Sequence, residues 1–240
     1  SNAFVDPDFP GDGDSSKFVE RRDGRQLEAQ AFLGEIRQRL VIGGGLYDMD
    51  IDLKQRISPV FGGEPADFSL LEFDGSEQKA KAAYAYYSFE TLGRLLWTAG
   101  IGLDEVELGS STDTVASPKL GVEWRAASWL SLRAAAFRAV AKPLVAGSTI
   151  EPTHVLGFSQ LFDDFPGTRS DQVAGSVELR PRDDLRLIGW GALRELSVPL
   201  LNDGGVSKMR DQDEKSIAAA AYWTVTDEIV LSAGLGLRHF

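Results

Sequence analysis

The chain has 240 residues, no cysteine and a net charge of −11. These values exclude a disulfide framework and a thiolate metal site, and with no basic patch along the sequence they exclude phosphate-driven binding of nucleic acid. No run of about 18 apolar residues occurs, so a membrane-spanning helix is excluded, whereas membrane β-strands stay open because alternation is nearly invisible to hydropathy windows.

Residues 1–23 are rich in Asp, Gly, Pro and Ser and show no period, and are expected to be an extracellular loop or tail. Ser1-Asn2-Ala3 resembles an expression scar, and no signal peptide is visible. Residues 24–240 are expected to form a β-barrel segment, for they alternate almost throughout. Leu27, Ala29, Ala31 and Leu33 oppose Gln26, Glu28 and Gln30; after a turn near Arg37, Val41, Tyr47, Met49, Ile51 and Leu53 oppose Asp48, Asp50, Asp52 and Lys54. Gly43-Gly44-Gly45 lies inside this strand, lacks the Gly-Lys-Ser/Thr of a phosphate loop, and reads as strand glycine.

A long irregular connection is expected through Pro59 and Pro65 to Gly75. Ala80, Ala82, Tyr84 and Tyr86 then oppose Lys79 and Lys81; after Gly93, Leu95, Trp97, Ala99, Ile101 and Leu103 form a face, and a parity shift to Val106 and Leu108 suggests a bulge at Asp104-Glu105. Next comes the clearest hairpin, with Leu120, Val122, Trp124 and Ala126 against Lys119, Glu123 and Arg125, a turn at Ala127-Ser128, and Leu130, Leu132, Ala134 and Ala136 against Ser131, Arg133 and Ala135. A loop from Pro143 to Asp171 precedes Val173, Val177 and Leu179, which oppose Glu178 and Arg180. The eighth strand is ambiguous, Leu185, Leu187 and Leu193 on one parity and Ile188, Trp190 and Ala192 on the other. After a loop from Pro199 to Glu214, Ile217, Ala219, Ala221 and Trp223 lead through Asp227 to Leu231, Leu235 and Leu237.

The fold expected is therefore all-β, ten antiparallel up-and-down strands of about ten to fourteen residues, longer than ordinary globular strands and suited to crossing a membrane. Connections alternate short and long, as the periplasmic turns and extracellular loops of an outer-membrane barrel do. Phe89, Trp97, Trp124, Trp129 and Trp223 sit near short turns, as an interfacial girdle would. With the short turns periplasmic, both ends of the ten strands would lie outside. That predicts a piece of a larger barrel, with at least one further strand at each end and so at least twelve in all.

Ser117-Pro118-Lys119-Leu120-Gly121-Val122-Glu123-Trp124-Arg125, followed by Leu132-Arg133-Ala134-Ala135-Ala136-Phe137-Arg138, resembles the barrel of TonB-dependent receptors. Ile150 to Phe158 and Phe162-Asp163-Asp164 are similar to related large barrels, some with tetratricopeptide repeats upstream. The resemblance implies transport across the outer membrane of a Gram-negative bacterium, either uptake of a ligand or, for a repeat-linked barrel, export of a polymer, with membrane lipid and a small-molecule or polymer ligand as partners. No plug domain, TonB-contacting box or terminal aromatic signature is found in the chain, so TonB-type coupling would run through parts outside it.

The charged strand faces, Asp48, Asp50, Asp52, Lys79, Lys81, Glu123, Arg125, Arg133, Glu178 and Arg180, are expected to line the lumen, because a lipid-facing Arg or Lys costs about 2–4 kcal/mol at the midplane. The acidic row of Asp48, Asp50 and Asp52 would bias such a pore toward cations. In the Pro143–Asp171 loop, Glu151, His154, Phe158, Phe162, Asp163 and Asp164 are the residues expected to meet ligand. Asp48-Met49-Asp50-Ile51-Asp52 lacks the glycine and distal Glu of a calcium loop, and His154 and His239 stand alone. No metal site, cofactor or catalytic residue is expected. The competing reading is a soluble all-β binding module, in which the Ala- and Leu-rich faces would be an internal core; a third is a surface scaffold without transport.

Overall fold

A computed structural model describes residues 15–240 except positions 36, 59, 62–63, 66–67, 146, 203–204 and 227, with side chains described outside 15–22, 52–76, 201–205 and 207. The elements are β1 (Ser15–Glu35), β2 (Gln38–Ser58), β3 (Val60–Phe61), β4 (Glu64–Pro65), β5 (Phe68–Thr91), β6 (Leu95–Leu108) and β7 (Ser111–Ala127), then β8 (Leu130–Val140), β9 (His154–Val155), β10 (Phe158–Ser159), β11 (Arg169–Arg182), β12 (Leu185–Asn202), β13 (Gly205–Thr226) and β14 (Ile229–His239). Ten of these form one antiparallel sheet in the order β1-β2-β5-β6-β7-β8-β11-β12-β13-β14, while β3–β4 and β9–β10 are two-residue hairpins. The up-and-down barrel wall expected from the alternation is thus present.

Two faces of this wall differ sharply. On the inner face, against which residues 141–168 pack, Tyr47, Tyr86, Asp104, Val106, Ser117, Lys119 and Phe137 are all buried. The outer face is bare: Leu27, Leu46, Leu103, Leu120, Val173, Leu193 and Leu237 are each more than half exposed. Toward the short-turn end this outer face is apolar, and farther along the strands it turns charged. The charged positions pair across strands, Arg25 opposite Asp48, Asp48 opposite Lys79 and Lys79 opposite Glu107, and farther round Arg138 opposite Asp171 and Asp171 opposite Glu195. At the short-turn end Phe89 lies opposite Trp97, Leu95 opposite Trp124 and Leu185 opposite Trp223, all on the outer parity.

Several expectations change. β1 reaches back to Ser15, into the segment expected to be a tail; the rest of that segment lies outside the described residues. The long connections after β2, β6 and β12 shrink, because the strands continue as ladders: β6 and β7 are separated only by Gly109-Ser110, and β12 and β13 only by positions 203–204. Above the apolar band both faces are polar or mixed, so periodicity fades where the backbone pairing does not. The bulge expected at Asp104-Glu105 is absent, β6 pairing with β5 and β7 without a register shift. Val106 and Leu108 face inward, packing with Tyr47, Ala80, Val115 and Val140. The apparent shift of parity is β6 leaving the apolar band, where its inner residues become the hydrophobic ones.

Only residues 141–168 make a long loop among the described connections. Its neck is closed by wall pairing, Val140 opposite Arg169, and by Ala141 N–H to Thr168 O at 2.9 Å and Gly167 N–H to Ala141 O at 2.8 Å. Opposite the neck, the β7–β8 ladder stops at Lys119–Phe137. Pro118, which has no N–H to donate, therefore falls where β8 needs none.

The loop reaches down the inner face to Gly121, where an added Cβ would stand 3.0 Å from Leu156 Cδ1 and 3.1 Å from Val155 Cγ1. Gly121→Val is expected to leave the sheet intact and undock the β9–β10 tip. Limited proteolysis in detergent checks this, with cleavage near Leu156 accelerated at least tenfold while far-ultraviolet circular dichroism stays that of the parent.

Candidate functional site

The loop is positioned first by its tip. Val155-Leu156-Gly157-Phe158 is a two-residue hairpin with positive φ at both central positions, 49° at Leu156 and 93° at Gly157. That is the pairing of signs a tight twisted hairpin needs, and it is costly at Leu. Packing compensates: Val155 is fully buried and, with Phe158, joins Ala135, Phe137, Ala174 and Ala192 in one cluster. Burying two such side chains contributes about 1.5–3 kcal/mol each.

Beside the tip, ionic and hydrogen-bonding groups tie the loop to the wall. Lys142 Nζ pairs with Glu151 and lies 3.2 Å from Asp104 Oδ1, all three side chains being no more than one-tenth exposed. Tyr86 OH donates to Glu151 Oε1 at 2.7 Å, and Gln160 Nε2 donates to Tyr86 OH at 2.8 Å. Ser117 Oγ donates to Asp104 Oδ2 at 3.1 Å, and Lys119 Nζ donates to Arg138 O at 2.9 Å. The loop crosses as far as β1, where Gln26 and Gln30 donate to Ser148 O and Ile150 O at 2.8 and 2.9 Å, and Glu28 accepts from Thr149 and Tyr47.

Burial works against the Lys142 ammonium, but Glu151 and Asp104 outweigh it and hold its pKa above the ordinary 10.5. A cation raised in this way contributes fully below its ordinary value and loses that contribution only as pH climbs beyond it. The node therefore holds through neutral and mildly alkaline solution.

A second cluster lies across the wall. Arg194, with a side chain only 4% exposed, donates to Glu214 Oε2 at 2.7 Å, to Asp164 Oδ2 at 2.5 Å and to Ser170 Oγ at 3.2 Å. Its guanidinium lies 3.5 Å from the centre of the Phe162 ring. Toward the short turns, buried Glu178 accepts from Arg180 at 2.8 Å and from Arg186 through two nitrogens at 2.9 Å, with Arg133 at 3.5 Å. Arg133 also donates to Glu123 at 2.7 Å, and Arg125 to Glu90 at 2.8 Å.

Of the charged residues expected in the lumen, Glu123, Arg125, Arg133, Glu178 and Arg180 therefore share the inner face. Asp48, Asp50, Lys79 and Lys81 do not. Asp48, Asp50 and Lys81 are exposed on the outer face, between the buried inner residues Tyr47, Met49 and Ala80; Lys79 pairs with Glu77, and Lys81 donates to Glu105 at 2.7 Å. The side chain of Asp52 lies outside the described residues. Parity gives which residues share a face but not which face. In β2 and β5 the charges lie above the apolar band, whose outer residues are Ile42, Leu46, Ala83 and Tyr87. The cation bias expected from the acidic row therefore has no basis at Asp48 and Asp50.

In the loop, Glu151 is buried in the Lys142 node, Phe162 and Asp164 serve Arg194, and Phe158 is core. His154 is exposed, its Nδ1 2.9 Å from Thr153 Oγ1, and Asp163 is exposed. Tyr47, Tyr86, Asp104, Lys142, Arg194 and Glu214 do not stand out in the sequence as lumen or ligand residues. Tyr47 and Tyr86 read as members of an apolar face, and the partners of Arg194 lie on other strands and in the loop. Counting inner positions from each short turn was the one signal available.

A family model described as "TonB dependent receptor-like, beta-barrel" matches residues 2–193. No curated protein matches the chain in sequence. Among solved structures, the copper transporter OprC aligns over 94% of this chain and 39% of its own, at 14% identity and a TM-score of 0.58. The alcaligin outer-membrane receptor FauA of Bordetella pertussis aligns over 94% and 40%, at 13% identity and 0.51. The FpvAI–pyocin S2 complex aligns over 96% and 35%, at 11% identity and 0.57. The chain thus spans about two-fifths of the structures it resembles, and the likeness is one of fold.

Because removing one partner strands a buried charge, Lys142→Met is expected to destabilise the docked loop by about 3–5 kcal/mol. Lys142→Met with Glu151→Gln should cost less than the two singles summed. Urea unfolding of the detergent-solubilised protein, followed together with protease sensitivity of the loop, checks both.

Proposed function

The chain belongs to the TonB dependent receptor-like β-barrel family, and from this premise we propose that it builds part of the wall of an outer-membrane transport barrel whose lumen is narrowed by residues 141–168. Members of that family are outer-membrane proteins of Gram-negative bacteria, and the family is one of receptors and transporters rather than enzymes. One observation carries the reading for this chain. Its outer face exposes Leu27, Leu46, Leu120, Val173, Leu193 and Leu237 by more than half, and becomes charged farther from the short turns, where Arg25, Asp48, Lys79 and Glu107 pair across neighbouring strands. Water would penalise such a band, and lipid requires it. In the soluble-module alternative these residues would be an internal core, yet each is more than half exposed.

The inner face suits passage of a polar solute. Its charges are mutually paired, Lys142 with Glu151 and Asp104, Arg194 with Glu214 and Asp164, and Arg133 with Glu123 and Glu178. Paired charges leave a wettable lining with little net field, which neither traps nor repels small ions strongly. The docked loop narrows the lumen from β1 to β13, so a small solute fits the arrangement better than a polymer, which would need the loop displaced. The neighbours in fold differ in cargo, one named for copper and one for alcaligin, and the fold does not choose between them. Any TonB-type energy coupling would act through parts outside this chain.

With no native cysteine to remove, single labels test the reading directly. Bimane at Leu103→Cys, Leu120→Cys or Val173→Cys is expected to be strongly quenched by brominated lipid in vesicles, and at Ser117→Cys hardly at all. Equal quenching at all four positions, or none, would sink the proposal.

A further inference from the structure

The outer face is not smooth. Across β1, β2, β5 and β6 runs an open trough of about 420 Å³. Its floor is one rung of the ladder, Ala29 opposite Gly44 and Gly44 opposite Ala83, and it ends against Leu103. Leu27 and Leu46, both more than half exposed, rise beside it one rung toward the loop end. From β1 to β6 the floor spans three interstrand spacings, about 14 Å, which is the length of about ten methylene groups.

A second observation concerns the edge of the apolar band. On β1 and β2 the charges begin at Arg25 opposite Asp48, and the next rung toward the short turns is Leu27 opposite Leu46. On β5 and β6 that lower rung is already charged, Lys81 opposite Glu105, with Lys79 opposite Glu107 above it. The edge therefore steps down by two residues, about 7 Å. The step stands on the bank of the trough, which Lys81 and Glu105 both line. Lys81 Nζ lies 2.7 Å from Glu105 and 3.7 Å from Glu107, yet its side chain is 62% exposed and theirs are 36% and 34% exposed. Two ammonium and two carboxylate groups thus alternate over two rungs, about 5 Å apart across the strands. Pairs this open contribute little to the fold, so sharing them with a headgroup costs little.

We infer that the trough is a docking site for one phospholipid, phosphatidylethanolamine, with an acyl chain lying over Ala29, Gly44 and Ala83 and the head set into the step. The inference rests on the barrel reading, which puts lipid against this face. The chemistry of the head follows from the charges. Its phosphate accepts from Lys81 and its ammonium donates to Glu105 or Glu107, so both signs are met by charge-assisted hydrogen bonds. A phosphatidylglycerol head would bring only an anion to a place that already holds two carboxylates. A choline head has no N–H to donate.

The test uses the full protein in phosphatidylcholine vesicles, labelled with bimane at one of two positions. Ile101→Cys stands on the outer face one rung below Leu103. Val177→Cys lies across the wall, in a rung of Leu132, Val177, Gly189 and Ala219 that carries no charge. Chain-brominated phosphatidylethanolamine, phosphatidylglycerol or phosphatidylcholine is added as a minor component. At Ile101 the ethanolamine lipid is expected to quench about threefold more than either of the others, the enrichment that one exposed charge contact gives. At Val177 the three should quench alike. Ala83→Leu fills the floor and should abolish the preference, and Glu105→Gln should erase the advantage over phosphatidylglycerol, with far-ultraviolet circular dichroism unchanged in both. Equal quenching by the three lipids at Ile101, or a preference that survives both substitutions, would overturn the site and leave the barrel reading standing. So would an Ile101 label shielded from every lipid while Val177 is quenched, because a second protein would then cover the trough. No quenching at either position would remove the barrel reading and the site with it.

Discussion

In a single sheet whose side chains alternate strictly, cross-strand register decides everything else about this molecule. A slip of one residue in any strand exchanges its faces, sending Leu120 into the lumen and Lys119 toward lipid. The uninterrupted pairing of β6 with both neighbours from Leu95 to Leu108 keeps Asp104 beneath Lys142 and Leu103 among the bare outer leucines. The same register stacks the outward charges of β1, β2, β5 and β6 in a common row. The apolar band and the loop's anchor points are thus two results of one ladder.

That dependence explains what could be read from the amino acids alone. Strands such as β7 and β8, whose visible alternation lies within the apolar band, announce both existence and facing: Leu120, Val122 and Trp124 turn outward, Glu123 and Arg125 inward. In β2 and β5 the strongest alternation lies above the band. There Asp48 and Lys79 point out and Tyr47 and Ala80 point in, the reverse of the rule that holds lower down. Local pattern cannot reveal how far up a strand a residue sits, since that height is fixed by neighbours distant in sequence. The loop cluster was less legible still. Glu151 and Asp164 stood out as polar loop residues, but their partners Lys142, Asp104, Arg194 and Glu214 are drawn from the loop's own neck and from three other strands.

The inner face combines two kinds of adhesion with different consequences. The tip is held by apolar burial of Val155 and Phe158, which tolerates small shifts. The neck is held by Lys142, Glu151 and Asp104, whose hydrogen-bonded geometry is demanding and whose separation would strand charges away from water. A loop fixed in both ways sits in one place on the wall rather than sampling the lumen. The contrast with the outer face is plain, since its ion pairs, such as Lys81 with Glu105, are solvent-accessible and contribute little to stability.

The neck has an evolutionary side as well. Residues 141–168 leave and re-enter the wall at a single rung, Val140 opposite Arg169, so the segment between them can lengthen, shorten or change composition without displacing one hydrogen bond of the β8–β11 ladder. The lumen's contents are in that sense an insert hung from a fixed frame. Descendants of this chain could acquire new selectivity by rewriting one contiguous stretch, while the lipid-facing surface that keeps them in the membrane goes unaltered.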